Sequence, residues 1–164
     1  MFVRTASGRD LPAIRALLVE TWHDAYDAIY GAARVTEITD QWHTIGALKA
    51  RLDAPSSEFI VADNEKQLGG VAFASADSDG TVVTLRQLYV RPAFQRQGIG
   101  GLLLTEILDS FPEAGRFVLE VEKANEPAVR FYAARGFVDV GPSQGPAQSG
   151  NANATLREMA LERK

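Results

Sequence analysis

Three glycines carry the clearest chemistry in this chain of 164 residues. Gly98, Gly100 and Gly101 lie in Leu88-Tyr-Val-Arg-Pro-Ala-Phe-Gln-Arg-Gln-Gly-Ile-Gly-Gly-Leu-Leu-Leu104. That stretch reads as a short strand over Leu88 to Val90, a stop at Pro92, a tight loop, and a helix opening near Gly98. Glycines without a Cβ let the loop backbone come close to a ligand and take conformations closed to other residues. The helix behind them presents unpaired N–H groups and the positive end of its dipole. Together these hold an anion, most often a phosphate chain, and Arg96 adds a cation inside the loop. Two phosphate motifs do not fit. No Lys-Ser or Lys-Thr follows the glycines, and Leu103 stands where GxGxxG needs its last glycine.

Other chemistries find little support. The sequence has no cysteine, which removes a disulfide framework, a thiolate metal site and a Cys nucleophile. His23 and His43 are the only histidines, with no carboxylates at ligand spacing beyond Asp24 and Asp27, so no metal is expected. The G-x-S-x-G pattern of a serine hydrolase is absent.

What does match is Gln95-Arg-Gln-Gly98-Ile-Gly100, of the form [QR]-x-x-G-x-[GA], after a strand ending Leu88-x-Val90-x-Pro92. This resembles the acetyl-CoA pyrophosphate loop of the GNAT superfamily of N-acetyltransferases. A second stretch is Leu119-Glu-Val-Glu-Lys-Ala-Asn-Glu-Pro-Ala-Val-Arg-Phe-Tyr-Ala-Ala-Arg-Gly-Phe137. It resembles the motif of that superfamily in which Asn follows a strand and a helix carrying Phe-Tyr ends in Gly-Phe. The resemblance implies acetyl-CoA as cosubstrate, held by Leu88, Tyr89, Val90, Gln95, Arg96, Gln97, Gly98, Ile99, Gly100, Gly101, Asn125 and Tyr132. It implies that Asn125 meets the pantetheine arm or positions water, and that the Tyr132 hydroxyl sits near the sulfur. Taken alone, Asn125 is a helix cap and Tyr132 a core aromatic. Cap and ligand contact are compatible, and the spacing puts Tyr132 two turns on, along roughly the same helix face.

Acetyl transfer to an amine needs a neutral amine, a polarised thioester carbonyl, alignment and a departing thiolate. An amine with a pKa of about 10.4 costs about 4.6 kcal/mol to present neutral at pH 7. A carboxylate, direct or through water, takes the proton. Glu120 and Glu122 share one strand face by period two. The ribosomal-protein alanine acetyltransferase branch has a proposed base twelve residues before the tyrosine, which makes Glu120 the first choice for catalysis beside Tyr132. Strand N–H groups around Leu88 to Val90, freed where Pro92 breaks the ladder, would polarise the carbonyl. Without cysteine, direct attack on the bound thioester is the simpler route.

The elements that must position these residues follow from periodicity. Phe2 to Thr5 reads as a strand, and Ser7-Gly-Arg-Asp10 as a helix start. Leu11, Ile14, Leu18, Trp22, Ala25 and Ile29 predict an amphipathic helix ended by Gly31. A second helical region over Thr36 to Leu52 is interrupted near His43 to Gly46. Strands are expected at Phe59 to Ala62, Leu68 to Ala74, Thr81 to Val90, Phe117 to Val121, Phe137 to Val140 and Thr155 to Leu161. Helices are expected from Gly98 to Phe111 and from Asn125 to Gly136, and Gly141 to Asn153 is a polar loop. The fold class is α/β (α+β), a GNAT-like domain over 1–164 with a mixed sheet of about seven strands and about four flanking helices.

Composition sets bounds. Apolar content is 46%, charged content 23% and net charge -4, those of a globular protein without a general nucleic-acid surface. With no membrane span or signal peptide in view, cytoplasmic residence is the expectation. The resemblance implies an acceptor site walled by Trp22, Tyr26, Tyr30, Trp42 and the Gly141 to Asn153 loop. The partner is then a small-molecule or peptide amine, and a homodimer is compatible with the resemblance. A non-catalytic acyl-CoA-binding domain of the same fold is the alternative, and a binding protein for another nucleotide a second.

Overall fold

A computed structural model describes residues 1–143 and 156–163. Most of the polar Gly141 to Asn153 loop, and Thr155 at the start of the last expected strand, lie outside the described residues. The strands are β1 (Phe2–Thr5), β2 (Ser57–Asp63), β3 (Leu68–Ala76), β4 (Val82–Val90), β5 (Arg116–Glu122), β6 (Val138–Pro142) and β7 (Leu156–Glu162). The helices are α1 (Leu11–Tyr30), α2 (Ala32–Trp42), α3 (Ile45–Leu52), α4 (Ile99–Ser110) and α5 (Glu126–Ala133). The expected second helical region is two helices, so there are five among the described residues. The break falls after Trp42, and Thr44 starts the next helix, its hydroxyl accepting from Ala47 N–H at 3.1 Å. Ile29, expected on the apolar stripe of α1, is instead 36% exposed.

The seven strands form one sheet in the order β1-β2-β3-β4-β5-β7-β6. Only β4 and β5 run parallel. That one parallel step needs a crossover, and α4 supplies it. Alternation along the strands divides the core between two faces. Ile60, Ala62, Ala72, Ala74, Phe117, Leu119 and Val121 pack with α4 and with Tyr132 of α5. Phe59, Val61, Val71 and Phe73 pack on the other face with α1 and with Leu48 of α3. Gly70 permits α4 to sit this close: a Cβ there would lie 2.8 Å from Leu103 Cδ1 and 3.1 Å from Tyr89 O.

Strand β4 changes parity part-way along. Phe73 pairs with Gln87 and Ala74 with Leu85, so Arg86 is an extra residue, a β-bulge. Before it Val83 and Leu85 face α4, and after it Leu88 and Val90 do. Gln87 and Tyr89 therefore turn toward α1, where the Tyr89 and Trp22 ring centroids are 6.3 Å apart.

Under α1, His43 is fully buried, its ring tilted against that of Trp22 with centroids 5.7 Å apart. Arg51 Nη2 donates to its Nδ1 at 3.2 Å, and Arg15 Nη1 donates to its carbonyl at 2.7 Å. Burial first, then the charges of Arg51 and Arg15, push its pKa down to about 3. The unfolded chain holds this histidine near about 6.5. Between those values the unfolded state binds the extra proton, so stability rises with pH and is lost as pH falls. We expect urea unfolding to lose about 2 kcal/mol between pH 7 and pH 5 from this residue. His43→Asn should remove most of that slope. Asp10, held far below the carboxylate range by its hydrogen bonds to Arg4, acts only in more acid solution.

Candidate active site

The pairing of β4 with β5 is short. It runs from Val82 opposite Arg116 to Leu85 opposite Leu119 and stops at the bulge, whereas β4 stays on β3 to Val90. Beyond Leu85 the two parallel strands part and leave a gap in the sheet. Arg91 N–H donates to Gly69 O on β3 at 2.8 Å. Antiparallel pairs alternate, so Tyr89 and Gln87 also turn their N–H groups to β3, while those of Leu88 and Val90 face the gap. The donors expected at Leu88 to Val90 are therefore in place, but the bulge at Arg86 releases them and not the proline at position 92. A cleft of about 600 Å³ occupies this gap.

The glycine loop closes one end of the cleft. Gly98 caps α4 in the left-handed region at φ +82, a position that disfavours any side chain. Leu102 N–H makes the first helical bond, to Gly98 O at 3.1 Å, which leaves the N–H groups of Ile99, Gly100 and Gly101 without helical partners. A Cβ on Gly98 would meet nothing, so its surroundings are open to a ligand, whereas one on Gly100 would lie 3.0 Å from the Phe131 ring. Arg96 also has a positive φ, +65, and lines the cleft with Gln95. Gln95 Nε2 donates to Val90 O at 3.0 Å and ties the loop to the strand end. Gln97, expected at the cofactor, is not among the lining residues and its amide reaches Ala93 O at 3.5 Å. Ile99 contributes backbone, its side chain being buried in the core.

Across the gap, β5 and α5 bring the remaining predicted residues to the same cleft. Glu120, Glu122, Asn125 and Tyr132 all line it. Leu119 and Val121 face α4, so Glu120 and Glu122 share the α1 face, as period two requires. Tyr30 donates to Glu122 Oε2 at 2.8 Å, and Ser143 donates to Glu120. Asn125 does two jobs at once: its Oδ1 accepts from Ala128 N–H at 3.4 Å as a helix cap, and its Nδ2 donates to Tyr26 OH at 3.2 Å. Tyr132 is 9% exposed, with its hydroxyl unbonded among the described residues. Burial first, then the neighbouring Tyr26, raises its pKa, which keeps it a protonated donor. Tyr26 is likewise raised by burial, while the bond from Asn125 pulls the other way.

The gap thus has a helix start with unpaired N–H groups at one end and two carboxylates along one wall. A family model described as "Acetyltransferase (GNAT) family" matches residues 12–137. The chain belongs to that family. Relatives fit the assignment. The peptidyl-lysine N-acetyltransferase YiaC of Escherichia coli is 28% identical over 138 residues, 82% of each chain. An uncharacterised Mycobacterium leprae protein is 39% identical over 71 residues, and the matched region covers only 20% of that longer relative. A crystal structure of the PaiA N-acetyltransferase of Thermoplasma acidophilum with coenzyme A superposes with TM-score 0.87, covering 98% of both chains at 18% identity. The ribosomal-protein-S18-alanine N-acetyltransferase of Escherichia coli gives 0.70, covering 98% of this chain and 92% of that one at 19% identity. At those identities the two structures show the GNAT fold.

The cleft also gathers residues that sequence reasoning left out. Thr21, Ala25 and Ile29 line it from successive turns of α1, and Arg86 and Gln87 from the bulge. Arg135 lies over the Phe131 ring at 3.8 Å and reaches the first turn of α4, where a Cβ on Gly101 would be 3.2 Å from Nη2. No motif marks the α1 residues. Ala25 and Ile29 continue the apolar period of the helix, so their spacing does not distinguish a cleft wall from core. Of the expected acceptor walls, Tyr26 lines the cleft and Tyr30 reaches it through Glu122, whereas Trp22 is buried core. Trp42 is 41% exposed and is not among the lining residues.

The double role of Asn125 gives a sharp expectation. Asn125→Asp keeps the cap oxygen and should melt near the parent. Asn125→Ala removes cap and tie together and should cost about 1 kcal/mol or more, a fall in Tm of about 2–4 °C, read by calorimetry.

Proposed function

We propose that the protein is an acetyl-CoA-dependent N-acetyltransferase that passes the acetyl group directly to a primary amine. The observation that carries this is the gap between β4 and β5. It joins the anion cradle to a carboxylate-bearing wall on the α1 face, so that two substrates can meet through the sheet. The pyrophosphate of acetyl-CoA fits the N–H groups of Ile99, Gly100 and Gly101, with Arg96 beside it. From there the pantetheine arm runs back along β4 toward the bulge. The thioester then lies near the Leu88 N–H, which donates to the carbonyl oxygen as negative charge develops there.

Glu120 is the first residue of β5 past the last pair with β4, the carboxylate nearest the closed end of the gap. It takes the proton from the amine. The amine nitrogen attacks the carbonyl carbon, the N–C bond forms, and the C–S bond breaks. Tyr132 stands on α5, packed with the α4-face core where the sulfur arrives. Its raised pKa makes full proton transfer to a thiolate more uphill than the about 2 kcal/mol of an ordinary tyrosine and Cys-like thiol. It therefore stabilises the thiolate as a hydrogen-bond donor. Glu122, fixed by Tyr30 and by Ala124 N–H at 3.3 Å, adds negative charge that draws a cationic amine to the α1 side.

Two experiments test this. Coenzyme A or acetyl-CoA at 100 times its Kd should raise Tm by about 2–4 °C, with no response to NAD or ATP. Gly98→Ala, strained at φ +82, should weaken that response. In a free-thiol assay, Glu120→Gln should lower kcat about 100-fold while leaving the Kd for coenzyme A nearly unchanged. Tyr132→Phe should lower kcat while leaving the Kd for coenzyme A nearly unchanged. Binding without release of thiol on any amine would make the chain an acyl-CoA-binding module.

A further inference from the structure

Two polar side chains in the cleft have work that the transfer of the acetyl group does not explain. Gln87 is 5% exposed and Thr21 4% exposed, and both line the cleft. Among the described residues four buried side-chain atoms have no hydrogen-bond partner, Trp22 Nε1, His43 Nε2, Gln87 Oε1 and Thr21 Oγ1, and only the last two belong to residues that line the cleft. A helical threonine ordinarily returns its hydroxyl to a carbonyl of the preceding turn, and Thr21 does not. Buried polar atoms are nearly always paired in a folded protein, so an orphan at the floor of a cleft marks a ligand that completes it.

Position says which ligand. Gln87 turns to the α1 face with Tyr89, away from α4 and the anion cradle. It shares that face with Glu120 and Glu122, and Thr21 approaches from α1. The pair therefore sits on the acceptor side of the gap. Gln87 is also one residue, about 3.3 Å of strand, from the Leu88 N–H that meets the thioester carbonyl. Whatever Gln87 holds lies close beside the attacking nitrogen.

On the acetyltransferase reading above, we infer that the acceptor is the α-amino group at the N-terminus of a peptide. A carboxamide offers one acceptor and two donors. Its natural complement is a peptide amide, which offers a carbonyl and an N–H. In an N-terminal residue the first amide is joined to the amine through a single carbon, which matches the short step from Leu88 to Gln87. A lysine side chain sets its amine several bonds from the nearest amide. A polyamine offers donors alone and leaves the amide N–H groups of Gln87 unmet. The α-amine also ionises near about 7.7–8.0, so far less work is needed to present it neutral at pH 7 than for a lysine-type amine. Thr21 then takes the remaining donor or acceptor of the first peptide unit.

The full chain is assayed with acetyl-CoA and three amines: a lysine-free peptide with a free N-terminus, an N-acetylated peptide carrying one lysine, and spermidine. Mass spectrometry should show one acetyl group on the first peptide, with kcat/KM at least tenfold above either of the others. Gln87→Met should raise KM for that peptide about tenfold to a hundredfold, with kcat and the Kd for coenzyme A little changed. Thr21→Val should act in the same direction. Neither variant should lower Tm in the absence of substrate, because each removes a polar atom that has no partner in the free protein. Equal or better use of spermidine or the lysine peptide overturns the inference, as does a loss of coenzyme A affinity in Gln87→Met. A fall in Tm would assign the pair to the fold instead. Wild-type protein that binds coenzyme A yet acetylates none of the three amines overturns the inference without touching cofactor binding, and protein that binds no coenzyme A fails at the earlier reading.

Discussion

The parting of β4 from β5 is the constraint on which the rest of this structure depends. A parallel pair that ran its full length would direct the Leu88 and Val90 N–H groups into a ladder with β5. Instead the bulge at Arg86 ends the pair after Leu85 and Leu119. One extra residue does three things at once. It opens the sheet, it frees strand donors, and it restores the apolar side chains of Leu88 and Val90 to the α4 face after the parity change. Without that parity change the same sequence would turn Gln87 toward α4 and an apolar residue toward α1. Strand geometry, core composition and ligand donors are therefore one decision and not three.

An open sheet needs its walls fixed by other means. Here α1 does this with an aromatic column. Trp22 and Tyr26 lie 4.6 Å apart and Tyr26 and Tyr30 stack at 5.3 Å, each one helical turn from the last. The column then ties to the far wall. Tyr26 accepts from Asn125 at the start of α5, and Tyr30 donates to Glu122 at the end of β5. These hydroxyls span the gap in place of the missing ladder. The same contacts fix a carboxylate and a helix start, which is what preorganisation requires.

Much of this was legible because it is local. The glycine loop, the Asn125 cap and the alternation of Glu120 and Glu122 each follow from residues within a few positions of one another, and the structure has all three. The element order was legible for the same reason. What escaped was non-local. A bulge at Arg86 leaves no composition signal, since its cause is the register of β3 against β4. The stop at Pro92 looked like the natural end of the ladder, yet the ladder with β5 had already ended. Ile29 fits the apolar period of α1, but at that point the helix has run past the core and overhangs the cleft. Gln87 reads as one polar residue in a strand until the fold shows that it is buried and unpaired.

The division of labour between the two faces has a physical logic. Proton abstraction from an amine wants negative charge nearby, whereas a departing thiolate wants a neutral donor and no carboxylate. On the proposed mechanism, a sheet with a gap can offer both, because alternate β5 residues face opposite ways. Glu120 and Glu122 lie toward α1, while the α4 face presents Leu119, Val121 and the buried Tyr132. Burial that raises the tyrosine pKa keeps it a donor on the apolar side. The carboxylates keep hydrogen-bonded partners on the polar side. A positive φ at Gly98, a truncated strand pair and two of the unmatched buried polar atoms, Thr21 Oγ1 and Gln87 Oε1, meet at this gap. Local rules are expected to break where a fold is shaped for a site, and this gap gathers several such breaks.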